Sequence, residues 1–334
     1  MRTPGEMSPS ISRAAMGTAR RPSRFTEYRS RARSSAAGSW FRALRVSRRS
    51  WNATGVIVPN LLRSRGRRGG SSLQAVSEQT EHTLQHNGPK IVAHRGFSGR
   101  YPELTRRAFE EALKLPIHGI ECDVRLSRDG RVVVFHDASV SRTTDGTGRV
   151  DCLDFAELRQ LNCGTADEPQ RIMRLEELLE LMQDHPDKHL YIETKHPTIY
   201  GPEVDEQTLR SLRYAGLHES ENVHVISFSH RAVRYFTEMA PELETFYLFR
   251  LKEMRWNRKN RMLSRPYGVG PALQHLQLRR ELLGYQGLKT YTWTVNTPRQ
   301  MQWCADNGVD VIATDQPDVA LATFGQVPSA ALAG

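Results

Sequence analysis

Two carboxylates, Glu121 and Asp123, stand two residues apart in GIECDVRLS (119–127), and a third, Glu193, stands in LYIETK (190–195). Side chains alternate across a β-strand, so Glu121, Asp123 and Arg125 share one face while Ile120, Cys122 and Val124 share the other. Glu193 and Lys195 likewise share a face, opposite Ile192 and Thr194. Carboxylates crowded at a strand end raise one another's pKa unless a cation lies between them. A hard, oxygen-only donor set points to Mg²⁺ or Ca²⁺, not Zn²⁺. Two histidines also end apolar runs, His94 in KIVAHRG (90–96) and His136 in VVVFHD (132–137). An imidazole titrates near pH ~6.5, so one can take a proton from a nucleophile while the other protonates a leaving oxygen, which suits cleavage of a phosphodiester. Arg95 offers a fork of donors to a phosphate and Lys195 a point charge. Taken singly, each of these residues is explained as well by a strand-end ion pair. His118, His196, His224 and His230 are read as structural.

The segments that carry these residues are short apolar runs of strand length. They lie at 90–96, 119–127, 132–137, 190–195, 223–229, 245–249, 289–296 and 309–315, and most are separated by stretches of helical period, such as LTRRAFEEALKL (104–115) and TPRQMQWCADNG (297–308). The latter opens on Thr-Pro and closes on Gly, as helices do. Strands alternating with helices imply a parallel sheet with right-handed crossovers. About eight such units fit a TIM (β/α)8 barrel better than an open doubly wound sheet, and no GxGxxG follows the first strand. Residues 250–285 are basic and lack clean periodicity, so they are expected to form a long loop or broken helix, with VGPAL (269–273) as the candidate seventh strand.

HRG (94–96), PELT (102–105), IECDV (120–124), DGRVVVFHD (129–137) with RTTDGTGRV after it, IETK (192–195), WTVN (293–296) and TDQP (314–317) occur in one order and spacing across residues 89–323. Together they resemble the glycerophosphodiester phosphodiesterase family, and so many spaced motifs are far more specific than any one. The resemblance implies a TIM barrel with its site at the carboxyl ends of the strands. It places metal-binding acids on Glu121, Asp123 and Glu193 and catalytic histidines on His94 and His136. Arg95 and Lys195 fall on the phosphate side, and Trp293 lies near the substrate. Glu103 is a further site candidate, with capping of helix 104–115 as its plainer role. The substrate implied is a glycerophosphodiester, cleaved to glycerol 3-phosphate and an alcohol with one divalent cation, Mg²⁺ or Ca²⁺. Where the family shows PENT, this chain has PELT. Leu104 therefore removes an Asn donor and acceptor, which bears on substrate fit. Two alternatives stand beside this reading: a lysophospholipase D, with Leu104, Trp256 and Tyr267 lining an apolar path for an acyl chain, and a barrel that binds phosphate ligands without turnover.

The chain has 334 residues and a formal net charge of +10. The first 88 hold 16 Arg, no Lys and 4 Glu, whereas the remainder holds 31 basic and 33 acidic side chains. The basic excess thus sits in a Ser/Gly/Arg-rich head, expected to be a disordered extension, with a barrel at 89–325 and a flexible tail at 326–334. That division argues against nucleic acid as a partner. No run of 18 apolar residues marks a transmembrane helix. Four cysteines at irregular spacing, without CxxC, suit a reducing compartment and a cytoplasmic protein, although the head also has the Arg/Ser-rich, acid-poor composition of a targeting peptide.

Overall fold

Branched and aromatic residues dominate the apolar runs, and the computed structural model pairs these runs edge to edge; it describes residues 88–250 and 263–326. Nine strands form: β1 (Lys90–His94), β2 (Gly119–Leu126), β3 (Val132–Val134), β4 (His189–Thr194), β5 (Val223–Ser227), β6 (Glu244–Phe249), β7 (Gly268–Pro271), β8 (Lys289–Thr292) and β9 (Val311–Thr314). Eight of them run parallel in the order β1-β9-β8-β7-β6-β5-β4-β2, and β1 pairs again with β2 to close the barrel. The expected TIM (β/α)8 barrel is therefore present. VGPAL does supply a barrel strand, the seventh strand of the chain, since β7 pairs with β6 and β8.

VVVFHD is not a barrel strand. Its β3 runs antiparallel to β2, on the outer edge of the sheet. The segment beyond it packs Val133, Phe135, Val140, Val150, Leu158 and Ile172 into a small core of its own. The head at 1–87, residues 251–262 with Trp256, and the tail from 327 lie outside the described residues.

Helices fill the connections: α1 (Arg106–Leu113), α2 (Phe155–Leu158), α3 (Leu175–Gln183), α4 (Glu203–Tyr214), α5 (His230–Met239), α6 (Leu273–Leu278), α7 (Pro298–Asp306) and α8 (Pro317–Thr323). Side-chain caps set the starts of α1, α5 and α7. Thr105 accepts from the Ala108 amide, and Thr297 forms a capping box with Gln300 around Pro298. Apart from α2, whose Leu158 joins the small core, each helix turns one apolar face to the barrel, as α1 does with Ala108, Phe109, Ala112 and Leu113. These faces meet the outer strand residues Ile120, Cys122, Val124, Leu190, Ile192 and Val225 in the main core.

The barrel interior is a separate cluster of Val92, Tyr191, Ile226, Phe246, Leu248, Tyr291, Val311 and Ala313. Residues on the same inward face but nearer the carboxyl ends of β1, β2 and β4 are polar: His94, Glu121, Asp123 and Glu193. The alternation read from the sequence thus places the carboxylates at one mouth of a filled barrel.

Candidate active site

The carboxylates come together because β2 and β4 are in register, Asp123 lying beside Glu193. One oxygen from each of Glu121, Asp123 and Glu193 lies within 4.8 Å of the other two, and all three side chains are buried. Two cations hold part of this charge. Lys195 Nζ stands 2.6 Å from Glu193 and 3.1 Å from Asp123, and Arg95 Nε stands 3.2 Å from Asp123. The compensation is uneven. Burial and the Asp123 charge push Glu121 up to about 8. Burial likewise raises Glu193, whereas at Asp123 the attraction of Lys195 and Arg95 overcomes the burial penalty and holds its carboxyl low.

β1 delivers His94 and then turns sharply. Arg95 (φ +60°) and Gly96 (φ +76°) both lie in the left-handed region, and a Cβ on Gly96 would stand 2.8 Å from the Ala108 backbone. This turn aims the Arg95 amide at Glu121 Oε2, 3.0 Å away, and its guanidinium at Glu103, 2.9 Å away. His94 Nδ1 lies 2.7 Å from Asp315 Oδ1, and its Nε2 lies 4.0 Å from Glu121. Burial pulls the His94 pKa down, but the Asp315 hydrogen bond and the Glu121 charge prevail, so the net shift is upward.

His136 arrives from outside the barrel, two residues past β3. Its Nδ1 contacts Asp137 at 2.5 Å, and Arg125 Nε donates to its carbonyl. Burial lowers its pKa against the opposing field of Asp123. The two imidazoles are thus biased in opposite directions.

Sequence reasoning missed the groups that hold these residues. Asp315 accepts from Asn296 and Ser98 as well as facing His94. Arg142 bridges Glu103 and Asp137. The signals were present in TDQP, WTVN, FHD and RTTDG, but as motif letters without an assigned task. Glu103 does not cap α1; Thr105 does, leaving Glu103 to join the two arginines. Trp293 stands apart at the rim. Its Nε1 donates to the Gly270 carbonyl, its ring meets Phe228 edge-on, and the Arg250 guanidinium lies 5.1 Å above it.

Leu104 and Tyr267 do not line an apolar path at this mouth. Leu104 is 4% exposed and packs in the main core, with φ +60° and its amide donating to the Arg95 carbonyl. Tyr267 precedes β7 and faces a cavity shared with Lys90 and His189, at the opposite end of the barrel. With Leu104 buried in the main core, the substitution in PELT bears on packing and turn geometry.

A profile described as the glycerophosphoryl diester phosphodiesterase family matches residues 94–319, more than half of the chain and every one of these site residues. The chain belongs to this family. Among its family relatives, Probable glycerophosphodiester phosphodiesterase 1 of Mycobacterium tuberculosis is 33% identical over 247 residues, covering 69% of this chain and 90% of that protein. Glycerophosphodiester phosphodiesterase of Caldanaerobacter subterraneus is 33% identical over 236 residues, covering 68% and 94%. A phosphodiesterase of Oleispira antarctica, solved in complex with the product sn-glycerol-3-phosphate, matches with a TM-score of 0.63 at 25% identity, over 71% of this chain and 97% of that one. As a glycerophosphodiester phosphodiesterase family member the chain is a phosphoric diester hydrolase, which removes the reading of a barrel without turnover.

Proposed function

We propose that this enzyme hydrolyses glycerophosphodiesters to glycerol 3-phosphate and an alcohol, using a divalent cation held by Glu121, Asp123 and Glu193. The observation that carries this is the convergence of three buried carboxylates beside two histidines of opposite bias. The donor set fits a hard cation. Asp123 Oδ2 is buried and accepts no hydrogen bond, although Arg95 Nε lies 3.2 Å away, and beyond Arg95 and Lys195 the three carboxylates have His94 only at 4.0 Å from Glu121. When bound, such an ion polarises a phosphoryl oxygen and stabilises the charge that develops there.

The side chains supply the rest. Lys195 and Arg95 lie against the carboxylates with donors to spare for a phosphate. His136, held neutral by burial, accepts the proton of the attacking hydroxyl, either water or the glycerol 2-hydroxyl. His94, kept charged by Asp315, gives a proton to the departing alcohol oxygen. The barrel at 89–325 is the catalytic unit in this reading. In the decisive test the full chain is assayed for release of glycerol 3-phosphate from glycerophosphocholine with Mg²⁺ or Ca²⁺, then with EDTA. Activity that persists in chelator removes the cation from the mechanism.

One feature favours a second substrate class. A hollow of about 300 Å³ at the rim is lined by Ala272, Leu278 and Trp293, with Gln274, His275 and Arg250. Leu278 is 75% exposed there. An acyl chain fits this surface better than a glycerol does, so lysophospholipids belong in the same panel, and a preference for them makes the enzyme a lysophospholipase D.

A further inference from the structure

The end of the barrel remote from the carboxylates holds three histidines that the phosphodiester chemistry does not use. His118 directly precedes β2, His189 opens β4, and His224 is the second residue of β5. Strand register brings them together. The His118 carbonyl accepts from the His189 amide, Gly119 lies beside His189, and His224 lies beside Tyr191. The strands approach so closely that a Cβ on Gly119 would stand 2.1 Å from the His189 carbonyl oxygen. One ring nitrogen from each histidine lies within 4.8 Å of the other two. His189 Nδ1 and His224 Nε2 are 2.8 Å apart, and the His118 ring stacks on His189 at 3.8 Å between centroids. His118 Nε2 is buried with no hydrogen-bond partner.

We propose that His118, His189 and His224 form a second metal site, for a transition-metal ion of the Zn²⁺ class, at the amino-terminal mouth of the barrel. Imidazole donors select Zn²⁺, Cu²⁺ or Ni²⁺ over Mg²⁺ and Ca²⁺, so the two mouths sort metals by hardness. Two further features support it. Glu244 Oε2 stands 3.0 Å from His224 Nδ1, in the place of an outer carboxylate that turns a ligating imidazole with its Nε2 toward His189. A cavity of about 660 Å³ opens beside His189, between Lys90, Glu244 and Tyr267, and gives an ion a way in.

The shared proton between His189 and His224 is what the ion replaces. Two nitrogens on a tetrahedral ion at ~2.0–2.1 Å stand roughly 3.3 Å apart, so this pair opens by about half an ångström, while His118 turns from stacking to present Nε2. Water or another donor from the cavity completes the shell. A bound ion ties β2, β4 and β5 at their starts and stabilises the folded state by mass action.

The test uses the full chain with His82→Ala and His86→Ala, which removes the two imidazoles upstream of the barrel. The protein is stripped with chelator, saturated with Mg²⁺ to fill the carboxylate cluster, and titrated with Zn²⁺ against a chromophoric chelator. One equivalent of Zn²⁺ should enter with Mg²⁺ present and raise Tm. His118→Ala and His189→Ala should each weaken that uptake at least roughly tenfold and abolish the Tm rise while keeping Mg²⁺-supported activity. Cu²⁺ added to the protein with these three histidines intact should give an electron paramagnetic resonance spectrum split by imidazole nitrogens, a readout that stands even where a variant fails to fold. No Zn²⁺ uptake beside Mg²⁺, uptake unchanged in both folded variants, or a Cu²⁺ spectrum without nitrogen splitting would overturn the proposal.

Discussion

His94 and His136 are the same chemical group placed in opposite surroundings, and the difference lies in what faces each ring. Asp315 and Glu121 favour the charged form of His94, whereas burial favours the neutral form of His136. In the proposed mechanism a proton donor and a proton acceptor are therefore both in working form between the two pKa values. The lowered His136 pKa should set the acid limb of kcat/KM below the ordinary imidazole value of about 6.5, and the raised His94 pKa should set the alkaline limb above it. Asp315→Asn should draw the alkaline limb toward lower pH, visible in a pH–rate profile; an unmoved limb would assign it to another group. Each of His94→Ala and His136→Ala should cut kcat by roughly 100-fold or more, with far-UV circular dichroism unchanged. At Leu104, relief of the left-handed backbone by Asn gains about 1–2 kcal/mol, but loss of a buried leucine costs roughly 2–5 kcal/mol, so packing wins. Leu104→Asn should accordingly lower the urea midpoint. Glu121 and Asp123 were legible from alternation alone. Asp315 and Arg142 were not, because His94 and Glu103, the partners that tie them to the β1 side of the site, lie 221 and 39 residues away and no local pattern encodes a contact of that range.

At the scale of elements, the site is assembled from pieces with different relations to the barrel. The carboxylates and His94 ride on β1, β2 and β4, which are fixed by the sheet. His136 rides on the segment after β3, an antiparallel strand outside the closed ring. Arg142 fastens that segment to the β1 side by reaching both Asp137 and Glu103. Arg142→Ala should lower kcat/KM with little change in Tm, since the ion pairs are partly exposed and such pairs contribute only ~0–1 kcal/mol. Equal losses in activity and stability would show that the segment itself had come apart. The barrel was readable because its strands are continuous apolar runs at regular spacing. The place of β3 was not, because VVVFHD has the same composition as a barrel strand and only pairing reveals direction. α6 hid in a basic stretch because its six residues are too few to establish a period, and the four residues of β7 left VGPAL only a candidate.

For the molecule as a whole, the carboxylate-lined mouth and the basic head are separable matters. Deleting residues 1–88 should leave turnover of glycerophosphocholine unchanged, since the family match begins at residue 94; a large loss would make the head part of the working enzyme. Chelation should abolish activity, and Mg²⁺ or Ca²⁺ should restore it. The barrel interior carries a further consequence. Tyr191, Phe246, Leu248 and Tyr291 fill it from wall to wall, with Tyr191 stacked on His224 below. Among the described residues no way through the barrel axis remains, so the carboxylate mouth is a cul-de-sac. Whatever leaves must leave the way the substrate came in, so glycerol 3-phosphate lingering at the threshold keeps the next molecule waiting, and it should act as a competitive inhibitor whose effect a flood of substrate removes.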